Sequence, residues 1–422
     1  MSEPVNGMVG LWREEEGGEG RQREFITLRR GRRGHDVSET RSEYRVRPRD
    51  LSELAPGRMK TCSVLRSWLG RPARRSPRPL APLSSSSLTS PAVEMLIDFE
   101  ELLAVPYVSQ PTVAHNPLHQ FDLYVPKSPS TTTQAPPLIC FVHGGAWRSE
   151  DKAQHAQLAR RLAAHTRFPV AIPNYRLSTP ATPLRHPAHA EDLLAFLHFV
   201  LTWSGPPSSP CPYDPTQLYL LGHSCSAHML TSIFLQPPES ISDPSPSPSP
   251  PSSPAASDPS SPPLPPSPIP TPAALSPSPA LLASTRALVL SEGLYDFDTL
   301  LRAFPAYKSW FIAPTFGRLR SYTPWNTASY RPRPGGAHLR WLVLHSRGDT
   351  LVHPEQSALI WRHLKELYAE PQDGDERGTA RMVCRDWDTL TEEHNDTLAG
   401  EVYPRLVADF VRDDVAWRAS DK

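Results

Sequence analysis

Short apolar runs separated by helical patterns recur from residue 95 onward, and they restrict what this chain can build. Leu138-Ile139-Cys140-Phe141-Val142, Val170-Ala171-Ile172, Leu218-Tyr219-Leu220-Leu221, Ala287-Leu288-Val289-Leu290 and Trp341-Leu342-Val343-Leu344 are continuous rather than alternating. Strands of that kind are covered on both faces, as in a parallel sheet. Phe121-Asp122-Leu123-Tyr124-Val125 alternates like a half-buried strand, and Met382-Val383-Cys384 reads as a last one. Between the runs, 152–164, 189–203, 354–368 and 400–411 carry apolar residues at helical spacing, and Pro354 suits a first helical position. The expected fold class is α/β, a mostly parallel central sheet with helices on both faces. In such sheets the chemistry sits at the carboxyl ends of the strands.

The chain has 422 residues, enough for one large α/β domain and appendages. Its 51 prolines mark segments that do not pack. Residues 1–94 are rich in Arg, Gly, Ser and Pro without sustained periodicity, and are read as a disordered extension. The α/β domain is placed at 95–415. Residues 237–279 are mostly Pro, Ser and Ala. Proline lacks an amide donor and fixes φ, so this stretch is read as a disordered insertion between a helix and the next strand. Its closure entropy grows only with the logarithm of its length. A ligand for an SH3-type module is the alternative reading for it. The polar segment 373–379 reads as a smaller loop insertion.

Lys+Arg and Asp+Glu are each 44, so nothing pulls the chain toward nucleic acid or a membrane surface. No apolar run approaches the roughly 18 residues that span a bilayer. The five cysteines are widely spaced, with neither zinc-ligand spacing nor a secreted framework, which points to reduced thiols and a cytoplasmic protein. The acid-free, Arg- and Ser-rich stretch from Met59 to about Ser90 is similar to an organelle transit peptide, should translation start at Met59. The expected partner is a small-molecule substrate. The oligomeric state stays open, with a homodimer as one option.

The strongest chemical signal runs from Leu218 to His228: an apolar strand, then Gly222-His223-Ser224-Cys225-Ser226-Ala227-His228, then an apolar helical run. A serine on a tight strand-to-helix turn is pushed out of the backbone toward a substrate. The following helix N-terminus favours negative charge beside it. Ser226 stands where such elbows usually carry a second glycine, a position that needs a small side chain. An independent signal is His143-Gly144-Gly145-Ala146-Trp147 after a strand. The Gly145 and Ala146 amides, with that of Cys225, are assigned to an oxyanion hole for the negative oxygen of acyl transfer. His143 is expected to hydrogen-bond its loop, and Trp147 to wall the acyl pocket or pack in the core. Tyr175-Arg176-Leu177 and Asp192 are expected to brace this loop. Cys225 reads as a small packing residue rather than a reactive thiol.

A nucleophilic serine needs a base, and the base an orienting acid. Asp349, in the Gly348-Asp349 turn after the strand ending at Leu344, is the candidate acid, with Asp296 as competitor. His394, between the last strand and the last helix, is the candidate base. His353 lies too close to Asp349 in sequence, and His223 and His228 are read as pointing elsewhere.

His143-Gly144-Gly145-Ala146-Trp147 resembles the HGGxW motif of the kynurenine formamidase family. The Gly222–His228 elbow is similar to that family's, with Cys225 resembling fungal members. The resemblance covers about 97–413 without the insertion. It implies an α/β-hydrolase fold and hydrolysis of N-formyl-L-kynurenine to L-kynurenine and formate, a step of tryptophan breakdown. It implies neither metal nor cofactor. Ser224 would attack the formyl carbon, His394 shuttle the proton, Asp349 orient His394, and Gly145 with Ala146 hold the oxyanion. Related carboxylesterases share these motifs, so a hydrolase of small or aryl esters is the alternative. A non-catalytic binding protein on the same fold is the second.

Overall fold

The computed structural model describes residues 8–17, 20–30, 37–42, 98–108, 116–127, 134–238, 275–368 and 381–420, which fall into two units, 1–89 and 90–422. In the first unit β1 (Met8–Gly17), β2 (Gly20–Arg30) and β3 (Val37–Ser42) pair antiparallel in that order. Here the structure differs from the expected disorder. Gly17 pairs with Gly20, so the first return takes two residues, and the run Phe25-Ile26-Thr27-Leu28 has the aromatic and β-branched character of a strand. The remainder of the expected extension lies outside the described residues.

In the second unit eight strands lie side by side in the order β13-β12-β10-β8-β6-β7-β5-β4. They are β4 (Phe99–Pro106), β5 (Gln120–Pro126), β6 (Pro137–Val142), β7 (Val170–Pro173), β8 (Asp214–His223), β10 (Thr285–Ser291), β12 (Arg340–Leu344) and β13 (Val383–Asp386). Pairing is parallel from β7 through β13, while β4 and β5 join antiparallel at one edge. Two short strands, β9 (Leu235–Gln236) and β11 (Arg331–Pro332), pair apart from this sheet.

The continuous apolar runs are explained by two cores, one on each face. Leu138, Cys140 and Val142 of β6 enter one core, and Ile139 and Phe141 the other. Strand β8 divides in the same way, with Leu218 and Leu220 opposed to Tyr219 and Leu221, as the period of two requires. The first core is covered by α2 (Ala188–Thr202), α3 (Cys225–Phe234) and α7 (Glu355–Leu367), and includes residues of α4 (Pro279–Ser284), α5 (Phe297–Ala303) and α6 (Ala313–Phe316). The second is covered by α1 (Ala156–Thr166) and α8 (Val402–Ser420), which pack on each other. A 3-10 turn at Lys152–His155 precedes α1, closed by a capping box between Asp151 and Gln154.

Residues 239–274 and 369–380 lie outside the described residues, so the expected insertion falls largely there and the 373–379 loop wholly. Where the chain re-enters, Ser278 caps α4, its Oγ accepting from the Leu281 amide at 3.1 Å. No helix among the described residues is long and apolar enough to cross a membrane.

Helix α8 runs well past the expected Val411 because of a buried charge. Arg340, at the start of β12, donates to Asp414 at 3.1 Å and Asp413 at 2.9 Å. Asp414 also accepts from Tyr219 and Arg418, both at 2.8 Å. Removing one partner of a buried pair strands the other. Asp414→Ala is therefore expected to lower stability by about 3–5 kcal/mol in a denaturant titration.

Candidate active site

Strand β8 ends in a backbone bend that only its surroundings can hold. Ser224 has φ 58 and ψ −121, a conformation costing a non-glycine residue about 1–3 kcal/mol. Its amide donates to the Ser291 carbonyl at 2.9 Å, tying the bend to the end of β10. Ser226 does more than stay small. Its Oγ accepts from the His223 amide at 2.8 Å and donates to the Val142 carbonyl at 2.7 Å, stitching the bend to β6. Ser226→Ala removes both bonds from a fully buried site. The expected loss is about 1–3 kcal/mol of unfolding free energy, read by chemical denaturation.

The loop after β6 lies against this bend. A Cβ on Gly144 would sit 3.1 Å from Ser224 Cβ, so a glycine is needed for the approach. Gly145, Ala146 and Trp147 follow with φ 87, 52 and 59. Tyr175 OH donates to the Gly144 carbonyl at 2.7 Å and reaches the His143 carbonyl at 3.1 Å, while Trp147 N donates to Cys225 Sγ at 3.3 Å. Arg176 grips Asp192 through its amide and guanidinium, at 3.0, 2.7 and 2.6 Å. Tyr175 thus braces the loop directly, as expected, whereas Arg176 and Asp192 bond to each other and hold only the segment that carries Tyr175. Cys225 N opens α3, where first-turn amides lack intrahelical acceptors. Burial pushes the Cys225 thiol up to about 12, so it stays protonated and behaves as a packing group.

Trp147 is fully buried, with ring centroids 5.2 Å from Phe316, 5.6 Å from His228 and 6.0 Å from Phe297. The segment 304–316 closes over it, and Arg148 donates to the Trp310 carbonyl. His143 stacks between Tyr175 and His155, and burial lowers it to about 4, leaving it neutral near pH 7.

His394 and Asp349, 45 residues apart, meet at 2.8 Å, His394 Nδ1 facing Asp349 Oδ2. Gly348 makes the meeting possible. A Cβ there would fall 2.1 Å from the Thr391 carbonyl, so only glycine lets the two loops touch. Asp349 Oδ1 meanwhile accepts from the Leu351 and Val352 amides at 2.8 and 2.9 Å, which fixes its turn. The His394 ring packs on that of His223, the neighbour of Ser224, with centroids 4.7 Å apart. Asp296 instead caps α5, accepting from Thr299 N at 2.8 Å, and His353 pairs with Glu355 at 3.2 Å. His228 points to the Trp325 carbonyl, away from the site, at 2.8 Å. His223 does not point elsewhere as expected, since its ring faces His394 and its Nδ1 lies 3.8 Å from Glu292.

Glu292 was missed in the sequence. It directly follows β10, a place where a carboxylate is a signal in this architecture. Fully buried, it lies 3.3 Å from His394 Nδ1 through Oε2, while Oε1 accepts from Thr397 at 3.0 Å and the Ser346 amide at 3.3 Å. Burial and, after it, the charge of Asp349 raise its carboxyl to about 9. His223, Glu292 and His394 bring polar atoms within 4.8 Å of one another, a spacing that a metal ion could bridge, but the His394 Nδ1 atom already hydrogen-bonds Asp349.

The sheet order, the bend after β8, and the contact between the loops that follow β12 and β13 define the α/β-hydrolase fold. Residues 121–235, from β5 into β9, match the family model described as BD-FAE. Over 121 residues the chain is 34% identical to a probable isoprenylcysteine alpha-carbonyl methylesterase of Oryza sativa subsp. japonica, covering 28% of this chain and 26% of that protein. The chain thus spans about a quarter of that relative's length. Solved structures similar to it include a truncated carbohydrate esterase from gut microbiota, at 16% identity and TM-score 0.49, covering 75% of this chain and 96% of that one. Another is an inhibited esterase B from Lactobacillus rhamnosis, at 13% identity and TM-score 0.49, covering 77% and 89%.

A neutral buried Glu292 has a consequence for stability. Between the ordinary carboxyl range, near 4.5 in the unfolded chain, and about 9 in the folded one, the folded state holds the extra proton. This contribution to stability is present at low pH and lost as pH rises through that window. Glu292→Gln, which mimics the protonated form, is expected to gain in melting temperature relative to wild type between pH 5 and pH 9.

Proposed function

We propose that the protein is a serine hydrolase of carboxylic esters, acting on small or aryl esters. The observation that carries this is the 2.8 Å contact of His394 with Asp349, its ring set beside the strained Ser224 bend. In this reading the Ser224 Oγ–H proton passes to His394 Nε2 as Oγ bonds to the acyl carbon. The imidazolium formed is held by Asp349 through Nδ1–H. Negative charge moves to the carbonyl oxygen, which the amides of Gly145, Ala146 and Cys225 receive. His394 then gives its proton to the leaving oxygen, and water repeats the sequence on the acyl-enzyme. The match to a methylesterase favours esters. Cleavage of an aryl formamide such as N-formyl-L-kynurenine is the second reading. It is favoured by the His143–Trp147 motif and by the buried cluster of Trp147, Phe297 and Phe316 packed behind it.

The purified protein would be assayed on a short p-nitrophenyl ester and on N-formylkynurenine, each with Ser224→Ala. Ester turnover that drops by at least about 10³-fold in the variant is the expected result. Faster turnover of the formamide than of the ester would move the assignment to the second reading. No turnover of either, with no fluorophosphonate labelling of Ser224, would leave a binding protein on a hydrolase fold.

A further inference from the structure

Two carboxyl groups reach the same imidazole nitrogen. Asp349 Oδ2 takes His394 Nδ1 at 2.8 Å, and Glu292 Oε2 stands 3.3 Å from that same atom. Glu292 is fully buried, and its Oε2 has no hydrogen-bond partner, whereas its Oε1 is held by Thr397 and Ser346. Its backbone is fixed too, by a bond from its amide to the Leu344 carbonyl at 3.1 Å and by φ 52. An unpartnered buried acceptor, rigidly aimed at an N–H that another acceptor holds, is an arrangement that packing alone does not require.

We propose that Glu292 is a reserve orienting acid: a positioning residue that becomes the anionic partner of His394 Nδ1–H whenever Asp349 is neutralised or absent. The inference rests on the serine-hydrolase reading above. Burial first, and after it the carboxylate of Asp349 close to the same ring, keep the proton on the Glu292 carboxyl, so taking Asp349 away removes the second of these two causes. When the Asp349 charge is removed, Glu292 loses that proton to solvent, and Oε2 accepts from Nδ1–H. The imidazole is then held in the tautomer that leaves Nε2 free to take the Ser224 proton. The other groups that face this cluster are His223, His345, Glu150 beside His155, and Glu392, with Tyr295 and Tyr403 against Glu292 and Tyr307 near Asp349. Glu292 lies on the loop after β10, between the nucleophile's strand β8 and the acid's strand β12, and reaches the same Nδ1 atom from a different strand than Asp349 does.

The test is a double-mutant cycle on the full chain, read as the rate of Ser224 phosphonylation by a fluorophosphonate, which needs no knowledge of the natural substrate. The variants are Glu292→Gln, Asp349→Ala and the double variant, each measured from pH 5 to 9. Glu292→Gln alone is expected to lower the rate by less than about tenfold, and Asp349→Ala by more. Adding Glu292→Gln to Asp349→Ala is expected to lower it by at least about tenfold more than it does in the wild-type chain. The Asp349→Ala rate should rise with pH as Glu292 ionises, and this limb should vanish in the double variant, a change a purely structural role would not produce. If Asp349→Ala fails to fold, Asp349→Asn keeps an acceptor for the Leu351 and Val352 amides and serves the same cycle. Equal rates and pH profiles for Asp349→Ala and the double variant overturn the proposal. So does a loss in Glu292→Gln as large as that in Asp349→Ala, which would make Glu292 the principal acid. Labelling that survives Ser224→Ala overturns the serine-hydrolase reading itself, and is thereby told apart from either result.

Discussion

A ladder of amide hydrogen bonds outlasts the strands that begin it, and the site hangs from its last rungs. Ser224 N reaches the Ser291 carbonyl, Glu292 N the Leu344 carbonyl and His345 N the Asp386 carbonyl, at 2.9, 3.1 and 3.1 Å. Each bond continues the pairing of β8, β10, β12 and β13 by one residue. The loops that carry Ser224, Glu292 and Asp349 therefore leave the sheet from fixed points. A slip of one residue in any of these strands would turn its side chains to the wrong core, so the two apolar faces that stabilise the sheet also set the site's geometry.

Strain collects where that geometry is tightest. Among the described residues, seven non-glycine residues have positive φ, and Ala146, Trp147, Glu150, Ser224 and Glu292 all lie at this end of the sheet. Such conformations persist only where neighbours over-determine them. Here the neighbours are the Ser226 hydroxyl between two strands and the Tyr175 phenol under the Gly144 carbonyl.

The fold was legible because strands covered on both sides lose their polar face, and β6, β8, β10 and β12 all did. The bend at Ser224 and the meeting of Asp349 with His394 were legible because each residue directly follows a strand or sits on the loop beyond one, where local pattern carries information. Glu292 was not, because its importance depends on lateral order. Only once β10 lies between β8 and β12 does the residue after it stand between the Ser224 bend and the Asp349 turn. The His223 ring was misread for the same reason, as its direction is set by β10 and not by its own bend. The length of α8 beyond Val411 escaped a pattern of apolar residues because a buried arginine, not a hydrophobic stripe, holds its last turns. In the first unit, charged residues spread through β1 and β2 hid the alternation that marks a strand.

Helix α3 starts just after Ser224 and runs ten residues back along the sheet, so its far end lies about 15 Å from Ser224. The chain departs from the described structure just beyond it, after β9, and returns through α4 at the amino-terminal edge of β10. The two points where the described chain breaks off and resumes, after β9 and before α4, are thus held apart from the Ser224 bend by the length of α3, so a substitution at either point does not touch that bend.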